Sequence, residues 1–264
     1  MSETAVLTSI DRRGVATITL NRAAVNIAYD GNLLQGLADA VAAIARNPDV
    51  RLVVIRGKGR HFQAGADLAW LTDIAARDAA ANLAASRLTA ETLRALNRLA
   101  VPTVALVQGA CIGGGTGLVA SCDVVIAEDS AVFAISEARW GLVASIIFPQ
   151  LIAAIGLRQL RRYALSCERF DARRALAIGL VHEVCAPGTL DQAAAAVIDG
   201  VLSAGPDAVA ASKRGALQAA ATLGDDDLYD RLVVEHAAKR QSTEAAEGLR
   251  SFTAKRAAAW YPAP

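Results

Sequence analysis

Glu137 stands within Phe133-Ala-Ile-Ser-Glu-Ala-Arg-Trp-Gly141, a stretch that otherwise reads as buried strand and turn. A carboxylate in apolar surroundings costs free energy unless it is paired, protonated or put to use. An ion pair with Arg139 or Arg158 at a surface bend is the plainer account of it, and proton transfer is the other. Upstream lies Gln108-Gly-Ala-Cys-Ile-Gly-Gly-Gly-Thr-Gly-Leu118. Three consecutive glycines before a short apolar helix expose N–H groups at the positive end of its dipole, where an anion or a developing oxyanion would be stabilised. Removing one such donor costs roughly 3 kcal/mol of transition-state stabilisation. A third segment, His61-Phe-Gln-Ala-Gly-Ala-Asp-Leu68, joins a loop to a helix start. Asp67 can cap that helix, and Gly65 permits close backbone approach, leaving the Ala66 N–H as a candidate donor. An ordinary capped loop accounts for this segment equally well.

Gly115-Thr-Gly117-Leu-Val-Ala120 also satisfies the dinucleotide fingerprint GxGxxA. Its context fails. The preceding strand ends near Val107, the next begins near Val124, and Glu128 arrives too soon for a ribose contact, which needs ~20 residues of separation. There is no P-loop lysine motif and no GxSxG elbow.

The elements that must hold these segments alternate strand and helix. Ala5–Ile10 and Val15–Leu20 read as a hairpin turning at Arg12–Gly14, and Gly31–Arg46 repeats apolar residues at helical spacing. Leu52–Ile55 is a buried strand, a helix begins near Asp67, and a long one fits Ala79–Leu99 before Pro102. Strands at Thr103–Val107 and Val124–Ala127 flank the glycine run. This order predicts an α/β core over residues 1–188. From residue 189 to 264 Ala-rich helical segments dominate, a separate layer suited to an oligomer contact.

With 264 residues, 54% hydrophobic and 20% charged, the chain can build a sizeable core. A net charge of +1 argues against a nucleic-acid surface. The cysteines, Cys111, Cys122, Cys167 and Cys185, form no CxxC pair and lie at no zinc spacing to a histidine, so no metal is expected and small buried thiols are. His61, His182 and His236 have no partner that the sequence identifies. The N-terminus lacks the apolar run of a signal peptide, and Gly141–Leu157 is short for a span and carries Pro149 and Gln150. A cytoplasmic protein without a membrane segment is the expectation.

Taken together, Leu20-Asn-Arg22, FQAGADL, QGACIGGGTGL, CDVVIAEDSAVF, SEARWGL and RRYALSCERFDARRALAIGLVHEV resemble the enoyl-CoA hydratase/isomerase (crotonase) family over nearly the whole chain. The resemblance implies a spiral of ββα units, followed by helices that assemble a homotrimer or a dimer of trimers. It assigns the oxyanion-hole donors to Ala66 and Gly114, an adenine contact to Ala64 and the catalytic carboxylate to Glu137. It places Arg22 near the coenzyme A phosphates, with Lys255 doing similar work from a neighbouring subunit. Coenzyme A would be part of the substrate, and no separate cofactor is implied.

Two departures from the family pattern bear on function. Its first glutamate falls at Gly117, which excludes a two-glutamate hydration. The glycine-rich stretch usual after the second glutamate is replaced by Leu142-Val-Ala-Ser-Ile-Ile-Phe-Pro149. Gly117 and Trp140 are therefore expected to shape the acyl pocket, although a core tryptophan is the commoner outcome. This pattern is most similar to hydratases of branched, glutaconyl-type 2-enoyl thioesters, with Arg139 a candidate partner for a distal carboxylate against the plainer role of a surface arginine. A Δ3,Δ2-enoyl-CoA isomerase, for which one carboxylate suffices, is the alternative. A non-catalytic acyl-CoA-binding homologue is the alternative of another class.

Overall fold

The computed structural model describes residues 4–219, 226–256 and 258. The hairpin forms first: β1 (Val6–Ile10) pairs antiparallel with β2 (Val15–Leu20). Helix α1 (Gly31–Ala45) then crosses to β3 (Leu52–Gly57), which lies parallel to β2. Helices α2 (Leu68–Ala76) and α3 (Ala79–Asn97) lead to β4 (Thr103–Val107), again parallel. After β5 (Ala110–Ile112) and α4 (Gly114–Ala120) the chain returns as β6 (Val124–Glu128), parallel to β4. With β9 (Glu183–Cys185) this makes a six-stranded sheet in the order β1-β2-β3-β4-β6-β9. A second, three-stranded sheet joins β5 to β7 (Val132–Ala134) and β8 (Phe170–Asp171). Between β7 and β8 run a 3-10 turn at Glu137–Trp140 and helix α5 (Phe148–Ser166), and α6 (Ala172–Ala177) precedes β9.

Side-chain alternation along the strands divides the core. On β3, Val53 and Ile55 join the large cluster under α1 and α3, while Leu52 and Val54 face the other way. That second face is covered by Leu190 and Ala194 of α7 (Leu190–Ser203), so the first helix of the tail belongs to the packing of the sheet. Burial on both faces explains the runs of branched residues in the parallel strands. Helix α8 (Pro206–Ala219) is tied down through Lys213, whose ammonium reaches Asp123 at 2.7 Å. Helices α9 (Asp226–Arg240) and α10 (Thr243–Thr253) fold back on their own chain: α9 packs along α3, and α10 against the turn at 137–140. No single helix among the described residues is long and apolar enough to cross a membrane.

Arg22 has a clear structural post. Its guanidinium lies 3.1 Å from Asp30 and 3.2 Å from Asp67, and it donates to the Ala28 carbonyl. These two aspartates cap α1 and α2, accepting from Leu33 N–H and from Ala69 and Trp70 N–H. One half-buried arginine thus fixes both ends of the segment that pairs residue 29 with residue 66. Removing it leaves two carboxylates facing one another, so Arg22→Gln should lower stability by about 2 kcal/mol. A drop in Tm with no coenzyme A present checks this; an unchanged Tm would refute the clamp.

Candidate active site

The two glycine-bearing segments meet side by side. Residues 62–63 run parallel to 108–112: Phe62 N–H donates to Gln108 O, Gln63 N–H to Ala110 O, and Ile112 N–H to Gln63 O. Gln63 is in register with Cys111, so Ala66 and Gly114 lie three residues further on in each segment. Gly65 and Gly113 both take positive φ, +95° and +56°, which turns the chain where each segment leaves the pairing. On its other side Ala66 pairs with Tyr29, which donates to Gly65 O and accepts from Asp67 N–H. In this pattern the Ala66 N–H points away from Tyr29 and is donated to none of the described residues. Gly114 opens α4, so its N–H has no intrahelical acceptor.

A cavity of about 340 Å³ opens at this point, lined by Ala64, Gly65, Ala66, Gly113, Glu137 and Trp140 among others. Glu137 is its one lining carboxylate among the described residues. Part of the residue faces the cavity, while its Oε2 is shut off from solvent and has no hydrogen-bond partner. Among the described residues neither Arg139 nor Arg158 forms an ion pair with it, which sets aside the surface ion pair. Burial pushes its pKa up to about 7, against the pull of the Ser136 and Glu137 N–H groups. A β-carbon on Gly113 would fall 2.9 Å from Glu137 Oε1, so only glycine lets the carboxylate close on the head of α4.

The other expected residues divide. Ala64 lines the cavity and donates its N–H to Asn26 O, which leaves its carbonyl to offer. Trp140 also lines it, edge-on to Phe252 of α10 at 4.6 Å between centroids. Gly117 does not line it: a β-carbon there would sit 2.2 Å from Ile147 Cγ2, so Ile147 fills the space expected to be pocket. Arg22 is engaged by Asp30 and Asp67, and Lys255 is exposed just beyond α10; neither reaches the cavity wall. His61 and His182 accept the N–H groups of Ala110 and Val125 at their Nδ1 atoms and are structural. All four cysteines are free, and no cluster of metal ligands occurs among the described residues. A larger groove, about 800 Å³ between α1, α3 and α8, contains none of the expected site residues.

Three wall residues escape any reading of motifs. Tyr29 sets its ring over Gly114, where a β-carbon would meet Cε1 at 2.7 Å, and its hydroxyl feels both Glu137 and Arg240. His236 and Arg240, on α9, line the same cavity.

The family description "Enoyl-CoA hydratase/isomerase" matches residues 11–262. A putative enoyl-CoA hydratase of Thermus thermophilus is 29% identical over 95% of this chain and 98% of its own length. The (7aS)-7a-methyl-1,5-dioxo-2,3,5,6,7,7a-hexahydro-1H-indene-carboxyl-CoA hydrolase of Mycobacterium tuberculosis is 34% identical over 69% of this chain and 71% of its own. The crystal structure of an enoyl-CoA hydratase from Shewanella pealeana superposes with a TM-score of 0.79 at 34% identity, covering 97% of this chain and 96% of that one. The chain belongs to the enoyl-CoA hydratase/isomerase family and has the crotonase α/β fold. It is an enzyme of that hydratase/isomerase type, acting on acyl-CoA thioesters.

The raised pKa of Glu137 has a consequence for stability. Its folded value, about 7, exceeds the ordinary 4.5, so the fold favours the protonated form. That contribution is complete below pH 4.5 and is lost as pH rises through 7. Glu137→Gln removes the titration, and should therefore be more stable than the parent at pH 8 by about 2 kcal/mol, with a smaller difference at pH 4.5. Denaturant unfolding of both proteins at the two pH values checks the sign.

Proposed function

We propose that the protein hydrates a branched, glutaconyl-type 2-enoyl-CoA through an enolate, with Glu137 as its single catalytic carboxylate. The observation that carries this reading is the unpartnered Oε2 of Glu137, enclosed beside the same cavity that reaches Ala66 and, at the head of α4, Gly113. The thioester carbonyl oxygen would accept from the Ala66 and Gly114 N–H groups, which stabilise negative charge as it develops. Glu137, poised near neutrality, takes a proton from water as the water oxygen bonds to C3. The electron pair of the double bond moves to the enolate, and Glu137 returns the proton to C2. One water is consumed and the carboxylate is regenerated.

The side chain at 117 has no part in this scheme, because Ile147 occupies its space. A Δ3,Δ2-isomerase would use the same carboxylate to carry a proton between C2 and C4, and the single acid of the cavity favours that reading as the second. A pure acyl-CoA-binding role is less well supported, since binding alone gains nothing from an enclosed acid. The coenzyme A moiety would pass Ala64, and the assembly would be a trimer or a dimer of trimers, which mass in solution decides.

Purified protein with 3-methylglutaconyl-CoA should lose the enoyl thioester absorbance and take up one oxygen from labelled water. Glu137→Gln should slow this at least 100-fold. Loss of absorbance without labelled oxygen would establish the isomerase, and no turnover of any branched enoyl thioester would end the hydratase reading.

A further inference from the structure

Arg240 is 3% exposed, yet it lines the cavity. Its Nε donates to Asn82 Oδ1 at 3.0 Å, and its Nη2 donates to Asn82 O and Ser86 Oγ, each at 2.7 Å. All of these acceptors are neutral. No carboxylate among the described residues pairs with Arg240, and its Nη1 has no acceptor among them. An arginine stays charged in such a place, so its charge is held out of water without a counter-ion.

Its polar neighbours add no negative charge. Ser86 Oγ accepts from Arg240 and also shares a hydrogen bond with His236 Nδ1, 2.8 Å away. Burial lowers the His236 pKa to about 3, so the ring is neutral and adds no second charge. Tyr29 lines the same cavity within electrostatic reach of both Arg240 and Glu137, its hydroxyl bonded to none of the described residues. Trp70 closes the side, with the Arg240 guanidinium 6.0 Å from its ring centroid and Tyr29 edge-on at 5.8 Å. The wall thus sets a cation beside a neutral imidazole and a phenol, and the partner the cation lacks is an anion.

We propose that Arg240, supported by His236 and Tyr29, receives a carboxylate at the far end of the acyl group and makes the enzyme selective for dicarboxylic acyl-CoA thioesters. Arg139 is exposed at the cavity edge and is not needed for this. The inference rests on the reading of the cavity as a thioester site, but its test does not require turnover.

Binding of glutaryl-CoA and of pentanoyl-CoA, saturated thioesters of equal chain length, is measured by calorimetry. The parent protein should bind the acid-bearing thioester at least about tenfold more tightly. Arg240→Gln should bring the ratio close to one, and Arg240→Lys should retain part of it. Equal binding of the two by the parent, or an undiminished ratio in folded Arg240→Gln, overturns the proposal. If Arg240→Gln does not fold, the ratios of the parent and of Arg240→Lys decide it. Preference for glutaryl-CoA without hydration of any enoyl thioester would keep the anion site and refute the reaction; binding of neither thioester would refute both.

Discussion

Backbone pairing between the 62–63 and 108–112 segments determines which amides are left over for chemistry. Each hydrogen bond in that ladder consumes a donor, and the ladder ends where Gly65 and Gly113 turn the chain. Beyond the turn the Ala66 N–H loses its neighbour, and Gly114 becomes the first residue of a helix, whose N–H no helix can satisfy from within. The donors are therefore a product of where two strands stop pairing. Because backbone holds them, they need no reorganisation when charge arrives, which is the property an oxyanion site requires. Arg22 acts one layer behind, binding the caps of α1 and α2 so that Tyr29 keeps Ala66 in place.

Space around the carboxylate is as constrained as the donors. Glu137 approaches the head of α4 only because residue 113 has no side chain, and α4 packs against Ile147 only because residue 117 has none. The second contact makes position 117 part of the core. One carboxylate is then left in the cavity with an enclosed oxygen and a pKa near 7, and in the proposed hydration that single group would both accept and return the proton. The low dielectric that raises that pKa would also strengthen the pull of the two amides on the oxyanion of the proposed reaction.

Much of this was legible before any coordinates. The strands at Val15–Leu20 and Thr103–Val107 fall where their branched runs place them, and Asp67 caps its helix. Glycine runs and an acid in an apolar stretch are local signals that drew attention to these segments; it was the family resemblance that singled out Ala66, Gly114 and Glu137. What stayed hidden is non-local. Nothing near Gly117 says that Ile147 will fill its space. Arg22 precedes its two aspartates by 8 and 45 residues, so its role as a clamp emerges only with the fold. Tyr29, His236 and Arg240 belong to no motif. His236 and Arg240 are four apart on α9, a spacing that signals one helix face but cannot tell which wall it will form.

The distribution of these residues separates two tasks. Groups suited to the bond-making steps come from the spiral core, where backbone and a buried acid are fixed by strand pairing. Groups suited to recognising the remainder of the acyl chain come from the tail, with His236 and Arg240 on α9 and Phe252 on α10. The tail residues are held by neutral side chains of α3, Asn82 and Ser86, and by aromatic contact with Trp140. Changes there would alter what fits and what charge is welcomed while the donors at 66 and 114 keep their backbone geometry. A fold arranged in this way can retain one enolate chemistry while its acyl specificity varies, because the two depend on different layers and share only the cavity between them.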